Sequence, residues 1–261
     1  MAVKLIDAME PVVRLERGAR MLDVIKAFVE TGVFAAVVEG RPSAFLTIED
    51  AADEVRSATS LSDVLMSPPP LKPQRFASHD RSLVSVLRSI PEKYIFVTEG
   101  DTILGVVTPR SAFRALSSKT RLSDIGRTLR SADIAVLWPH TTIKGAFRKM
   151  ARGRTVFAVV HTRGRVRGVL SLHALMSMLT KEEILERVMK GDDGYYLDMT
   201  VTMVPCDRRT VFAQSELTKR KIVEILSKYG NLVVTRAGYL EYFFSDSSLH
   251  DYVRSLAVRT P

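Results

Sequence analysis

Two side chains with chemistry to offer stand three residues apart in the stretch LTIEDAADEV, the Thr47 hydroxyl and the Asp50 carboxylate. At the start of a helix such a pair is a capping arrangement, taking up amide hydrogens that have no partner within the helix. A carboxylate can also accept from both hydroxyls of a diol at once. Both uses are open to Asp50. The other reactive side chains point to little. Cys206 is the only cysteine, which excludes an intramolecular disulfide and a Cys-rich metal site. The histidines, His79, His140, His161, His173 and His250, show no metal-ligand spacing. The acidic GDDG run at 191–194 reads as a linker rather than a magnesium site.

Composition bounds the class. A chain of 261 residues, 46% hydrophobic and 26% charged, has the profile of a soluble globular protein with room for one large domain or two ordinary ones. No run approaches the roughly 18 apolar residues of a membrane span, and the first residues lack a signal-peptide core, so the expected location is the cytoplasm. Gln74, Gln214 and Asn231 are the only side-chain amides, a scarcity that suits a heat-adapted source.

The elements that must position Thr47 and Asp50 recur along the chain. A Leu-x-Asp or near equivalent appears at Leu5–Asp7, Leu61–Asp63, Leu122–Asp124 and, more loosely, Tyr196–Asp198. Downstream of each, an apolar run ends in a hydroxyl: AFLT at Thr47, GVVT at Thr108, GVLS at Ser171 and YFFS at Ser245. Between them lie a stretch with apolar residues at spacings of three and four and two short apolar runs joined by a turn. Each unit therefore reads as extended segment, helix, strand, strand, helix. The fold class is α/β (α+β), in four copies.

This order, with the Gly-apolar-apolar-Thr/Ser-x-x-Asp turn, resembles the CBS domain, the repeat first recognised in cystathionine β-synthase. The likeness is strong in ILGVVTPRSAFRAL and VRGVLSLHALMSML, fair in the first unit, and degenerate in the fourth, where Tyr242 stands in the usual glycine place. It implies repeats at 1–58, 59–120, 121–181 and 182–261, paired through their strands into two modules, 1–120 and 121–261. It brings no catalytic group, so no enzyme is expected, nor any metal or resident cofactor.

What the resemblance implies for a site is an adenosine-containing ligand (AMP, ADP, ATP or S-adenosylmethionine) whose ribose is gripped by the acid of the turn. Only the first repeat keeps that acid, as Asp50; Ser111, Ala174 and Ser248 stand in the equivalent places. The expected pocket combines Thr47 and Asp50 with Val12, Val13 and Ala36 as walls and with Lys93, Thr108 and Arg110 for phosphates. A possible second site holds Ser171, His173 and Arg154. Flat helical faces in this family commonly make homodimers, so a dimer, and an unidentified regulated protein, are the expected partners.

Charge suggests a second surface. The first 120 residues hold 15 basic and 15 acidic side chains, so the formal +9 lies wholly in the rest. Arg163, Arg165 and Arg167 alternate along a predicted hairpin, and Lys144, Arg148 and Arg152 recur at helical spacing. Such a stripe is either a solvated face or a surface for polyphosphate, nucleic acid or an acidic partner. The readings that compete are thus an adenosine-ligand sensor and a nucleic-acid-associated or scaffold protein. Aromatic interleaving is thin, Trp138 and Phe147 being expected in the core.

Overall fold

The computed structural model describes residues 3–40, 44–70, 72–119 and 135–259; the Leu122–Asp124 opening of the third repeat lies outside them. Four three-stranded sheets follow one plan, in which the first strand runs parallel to the second and the second antiparallel to the third. The first repeat supplies β1 (Val13–Leu15), α1 (Met21–Thr31), β2 (Ala35–Val38), β3 (Ala44–Thr47) and α2 (Ile48–Ser57). After α3 (Leu61–Met66), the second supplies β4 (Arg75–Ser78), α4 (Leu83–Ser89), β5 (Ile95–Glu99), β6 (Thr102–Val107) and α5 (Pro109–Leu116). The third holds β7 (Val136–Leu137), α6 (Ile143–Arg152), β8 (Phe157–Thr162), β9 (Arg165–Ser171) and α7 (Leu172–Leu179). After α8 (Glu182–Met189) and α9 (Gly194–Leu197), the fourth holds β10 (Val211–Ala213), α10 (Lys219–Tyr229), β11 (Leu232–Arg236), β12 (Tyr239–Phe244) and α11 (Asp246–Arg259).

Each hydroxyl starts the helix that follows its third strand. The side chains of Thr47, Thr108, Ser171 and Ser245 accept from the amides of Asp50, Ser111, Ala174 and Ser248, three residues on. Pro109, at the first helical position of α5, has no amide hydrogen to leave unpaired.

The segments that open the repeats cross over to a neighbour. Leu5 donates to the Arg81 carbonyl at 3.0 Å, which ties the first opening to the second repeat, while Met21 donates to Ser67 at 2.9 Å just past α3, on the first. In the second module Ile143 donates to Met199, which ties α9 to the third repeat. Gly105 and Gly168 explain themselves here. A Cβ on Gly105 would stand 2.6 Å from the Glu10 carbonyl, and one on Gly168 2.8 Å from that of Asp207, because the crossing segments lie directly on these strands.

The two modules meet through their helices inside the chain: α1 packs on α7, α2 on α6 and α7, and α5 on α10 and α11. Within the chain, the second half covers these helical faces of the first. The core is divided accordingly. One cluster joins the first and third repeats, including Phe28, Leu46, Phe147 and Met176, and the other joins the second and fourth, including Phe113, Leu226, Phe244 and Tyr252.

Candidate functional site

Asp50 keeps its capping role and is left with one oxygen to spare. Its Oδ2 accepts from the Thr47 amide and hydroxyl, both at 2.8 Å, and from Gln74 Nε2 at 3.1 Å. Among the described residues Oδ1 accepts nothing. Gln74 also donates to the Phe45 carbonyl at 3.2 Å, so the segment leading into β4 is fastened to the first repeat's turn. Phe45 and Phe76, their ring centroids 5.3 Å apart, line this side, and Phe76 is 43% exposed. Gln74 and the two rings carry no motif; only the packing of repeat on repeat shows them.

Lys93 is close to the same turn but is not free. Its ammonium donates to Glu49, to Asp246 Oδ2 at 2.6 Å and to the Arg154 carbonyl at 2.6 Å, joining all four repeats. Asp246 Oδ1 in turn accepts from Thr155 Oγ1 at 2.6 Å and from the Val156 amide at 3.0 Å. The two carboxylates hold the Lys93 pKa up against burial. One cation cannot balance two acids. Burial, the largest influence, pushes the Glu49 carboxyl up to about 7; Lys93 opposes the rise and the Asp246 charge adds to it.

Thr108 and Arg110 gather around Glu10. Thr108 Oγ1 donates to Glu10 Oε2 at 2.9 Å, and Arg110 Nε and Nη2 both reach Oε1 at 2.9 Å. The Arg110 guanidinium lies 5.0 Å from the centre of the Phe34 ring, which also meets His173, edge-on at 5.1 Å, and Tyr94, stacked at 6.5 Å. The expected pocket residues thus bond in two sets, and the charges of Asp50 and Glu10 both reach the buried Tyr94. Thr47 and Asp50 go with Gln74, Phe45 and Phe76, and Thr108 and Arg110 with Glu10. Val13 pairs with Ala36 across β1 and β2, and Val12 and Val13 pack against the first core cluster.

The residues of the second expected group have partners of their own. Ser171 caps α7, and His173 Nε2 donates to the Val33 carbonyl at 2.8 Å across the module interface. Burial, the largest influence, lowers the His173 pKa, so the ring is neutral at pH 7 and serves as an interface contact. Arg154, with φ of 46°, lines a cleft of about 830 Å³ with Glu49, Lys93, Arg152, Ser245 and Arg254.

Of the basic stripe, Arg165 and Arg167 lie exposed on β9, whereas Arg163 occupies the turn with φ of 51° and is not on the strand face. The Val166 amide donates to the Gly238 carbonyl at 2.9 Å, setting this hairpin against that of the fourth repeat with Arg236 and Tyr239. Lys144, Arg148 and Arg152 follow one another along α6, Lys144 half-buried and the other two exposed. Trp138 is 41% exposed, which corrects its expected place in the core; Phe147 is buried as expected. Asp193, from the GDDG run, accepts from the Leu61 amide at 2.9 Å and so secures the start of α3.

Comparison with known proteins agrees with this geometry. The family model described as the CBS domain matches residues 123–189. A solved structure from Methanocaldococcus jannaschii, proposed as an archaeal homolog of g-AMPK, superposes with a TM-score of 0.77 at 14% identity, covering 96% of this chain and 99% of that one. The chain contains a CBS domain. An uncharacterized conserved protein from Pyrococcus horikoshii is similar over 97% of this CBS chain and 100% of its own, at 15% identity and a TM-score of 0.50. No curated protein matches by sequence. At these identities the likeness carries the fold of four CBS repeats. No described helix is long and apolar enough to cross a membrane.

Proposed function

We propose that this CBS-domain protein is a regulatory sensor, without catalysis of its own, that binds an adenosine-containing ligand at the first repeat's turn. The observation that carries the reading is the state of Asp50: Oδ2 is fixed by Thr47 and Gln74, and Oδ1 accepts nothing among the described residues. A carboxylate held in this way can accept from a ribose diol without reorganising. Signalling follows from the packing. Glu49, next to Asp50, bonds Lys93, which bonds Asp246 on the second module, so a ligand that moves this turn bears on the contact between modules. The change can be no larger than the ligand's differential affinity for the two arrangements. A thermal-shift titration with adenosine derivatives tests the reading: a saturable rise in unfolding temperature supports it. Flat curves for every adenosine derivative would end it.

A second reading is favoured by one contact. The Val166–Gly238 bond brings Arg163, Arg165 and Arg167 beside Arg236 and the 53% exposed Tyr239, in a pair of hairpins whose only acid is Glu241. That surface suits a polyanion, with the aromatic ring available for stacking.

A further inference from the structure

The fourth repeat holds a cavity of about 370 Å³ between β10 and α10, lined by no residue of the four turns or of the hairpins that carry Arg165 and Arg236. Arg209, Arg220, Lys221 and Lys228 line it, and Glu224 is the one acid among its walls. Asp207 holds Arg209, with 2.6 Å between Nη2 and Oδ2. Among the described residues no carboxylate pairs with Arg220, Lys221 or Lys228, so Glu224 leaves two positive charges uncompensated.

Burial does not call for these cations. The core takes Ile225 and Leu226 from α10, whereas Arg220 and Lys228 are exposed. The helix dipole opposes part of the cluster: Lys219, Arg220 and Lys221 fill the first turn of α10, where positive charge is unfavourable. By contrast, α2 and α8 place acids in that turn, Glu49 and Asp50 in one and Glu182 and Glu183 in the other. An anion held in the cavity offsets both the dipole and the mutual repulsion of the side chains.

The walls narrow the ligand. Lys221 lies 4.2 Å from the centre of the Phe212 ring, and Arg209 and Lys228 lie 5.3 and 5.1 Å from that of Tyr229. With cations over them, these rings present positive charge to the cavity rather than a surface on which a base stacks. Lys221 and Lys228 are seven residues apart on one side of α10, about 10 Å along its axis. A chain of linked phosphates meets both ends at once, and a volume at the small end of ligand pockets suits a compact molecule. We propose that this cavity binds a free oligophosphate, a short chain of linked phosphates with no base attached.

Calorimetry of the full chain with tripolyphosphate at about 0.15 M salt tests the site, with orthophosphate and a short single-stranded RNA as the other ligands. The expected result is saturable binding of tripolyphosphate, tighter than that of orthophosphate, which weakens about tenfold or more in Arg220→Gln/Lys221→Gln. Thermal unfolding without ligand checks that this variant is folded, and Lys228→Gln repeats the test from the far end of the cavity with a single exposed side chain changed. Replacing Arg165, Arg167 and Arg236 with Ser should leave the affinity unchanged, which separates this site from the hairpin surface. The proposal is overturned if tripolyphosphate shows no saturable binding, if orthophosphate binds as tightly, or if the cavity variants leave the affinity as it was. RNA that binds more tightly than tripolyphosphate, and loses affinity in the same variants, overturns it in favour of a nucleic-acid site.

Discussion

Glu10 and Arg110, a hundred residues apart, form a tight ion pair at the start of α5: Arg110 reaches Glu10 Oε1 through both Nε and Nη2 at 2.9 Å, and Thr108 takes the other oxygen. The chain's own carboxylate thus takes the place where the resemblance puts a ligand's phosphate. Glu10→Gln keeps the shape and removes the charge, leaving Arg110 and Arg114 facing a neutral amide. The side chain of Glu10 is 9% exposed, so the expected loss is roughly 1.5–3 kcal/mol, the range of a charged hydrogen bond. Urea unfolding of mutant and wild type measures it; a change within about 0.5 kcal/mol reduces the pair to a surface contact.

Asp50→Asn preserves an acceptor for the Thr47 amide while losing charge-assisted acceptance from a diol. Affinity for a bound adenosine derivative should fall about ten- to a hundredfold, corresponding to roughly 1.5–3 kcal/mol. Thermal stability without ligand should change little, which separates loss of binding from loss of fold. Unchanged affinity in a folded mutant returns Asp50 to the role of cap alone.

The pH dependence of stability should show Glu49. Its carboxyl is raised from 4.5 to about 7, first by burial, so between those values the folded chain holds a proton that the unfolded chain has lost. Stability from this group therefore falls as pH rises from about 4.5 and levels off above about 7. Glu49→Gln removes the slope. Urea midpoints of both proteins across this window isolate the effect as a difference, and equal slopes would falsify the assignment.

Gly105→Ala tests the crossing segment. Its Cβ would stand 2.6 Å from the Glu10 carbonyl, part of a backbone paired both ways with Val106 at 2.7 and 2.9 Å. Either the pairing or the strand must move, a cost of roughly 1–3 kcal/mol. Gly100→Ala makes an instructive companion, since nothing stands within 4 Å of its Cβ and only its φ of 55° opposes the change. Unfolding midpoints should rank Gly105→Ala as the more damaging.

For the hairpin surface, replacing Arg165, Arg167 and Arg236 with Ser should weaken binding of a short single-stranded RNA and flatten its salt dependence by about 0.7 in the log–log slope for each lost phosphate contact. Fluorescence anisotropy at several salt concentrations reads both quantities. Wild-type protein that binds no RNA at about 0.15 M salt ends this second reading.

Much of the fold depends on near neighbours and was legible for that reason. The four units, their order of elements and the caps at Thr47, Thr108, Ser171 and Ser245 rest on periodicity and on contacts three residues apart. Asp50 stood out from the four turns for the same reason, as the single acid in its place. What the chain could not disclose by pattern is which charge meets which. Lys93 and Asp246 are 153 residues apart, and Arg110 and Glu10 are 100 apart, so their pairing depends on how helices of one module face those of the other. Pattern alone joined Thr47, Asp50, Lys93, Thr108 and Arg110 into one pocket. The tertiary structure gives the lysine and the arginine partners within the chain: Glu49 and Asp246 for Lys93, and Glu10, from the opening segment that crosses to the second repeat, for Arg110. Even the module boundary has this character: each half carries its own strands and helices, yet α1, α2 and α5 also pack on helices of the other half, and the burial there makes the two modules one protein.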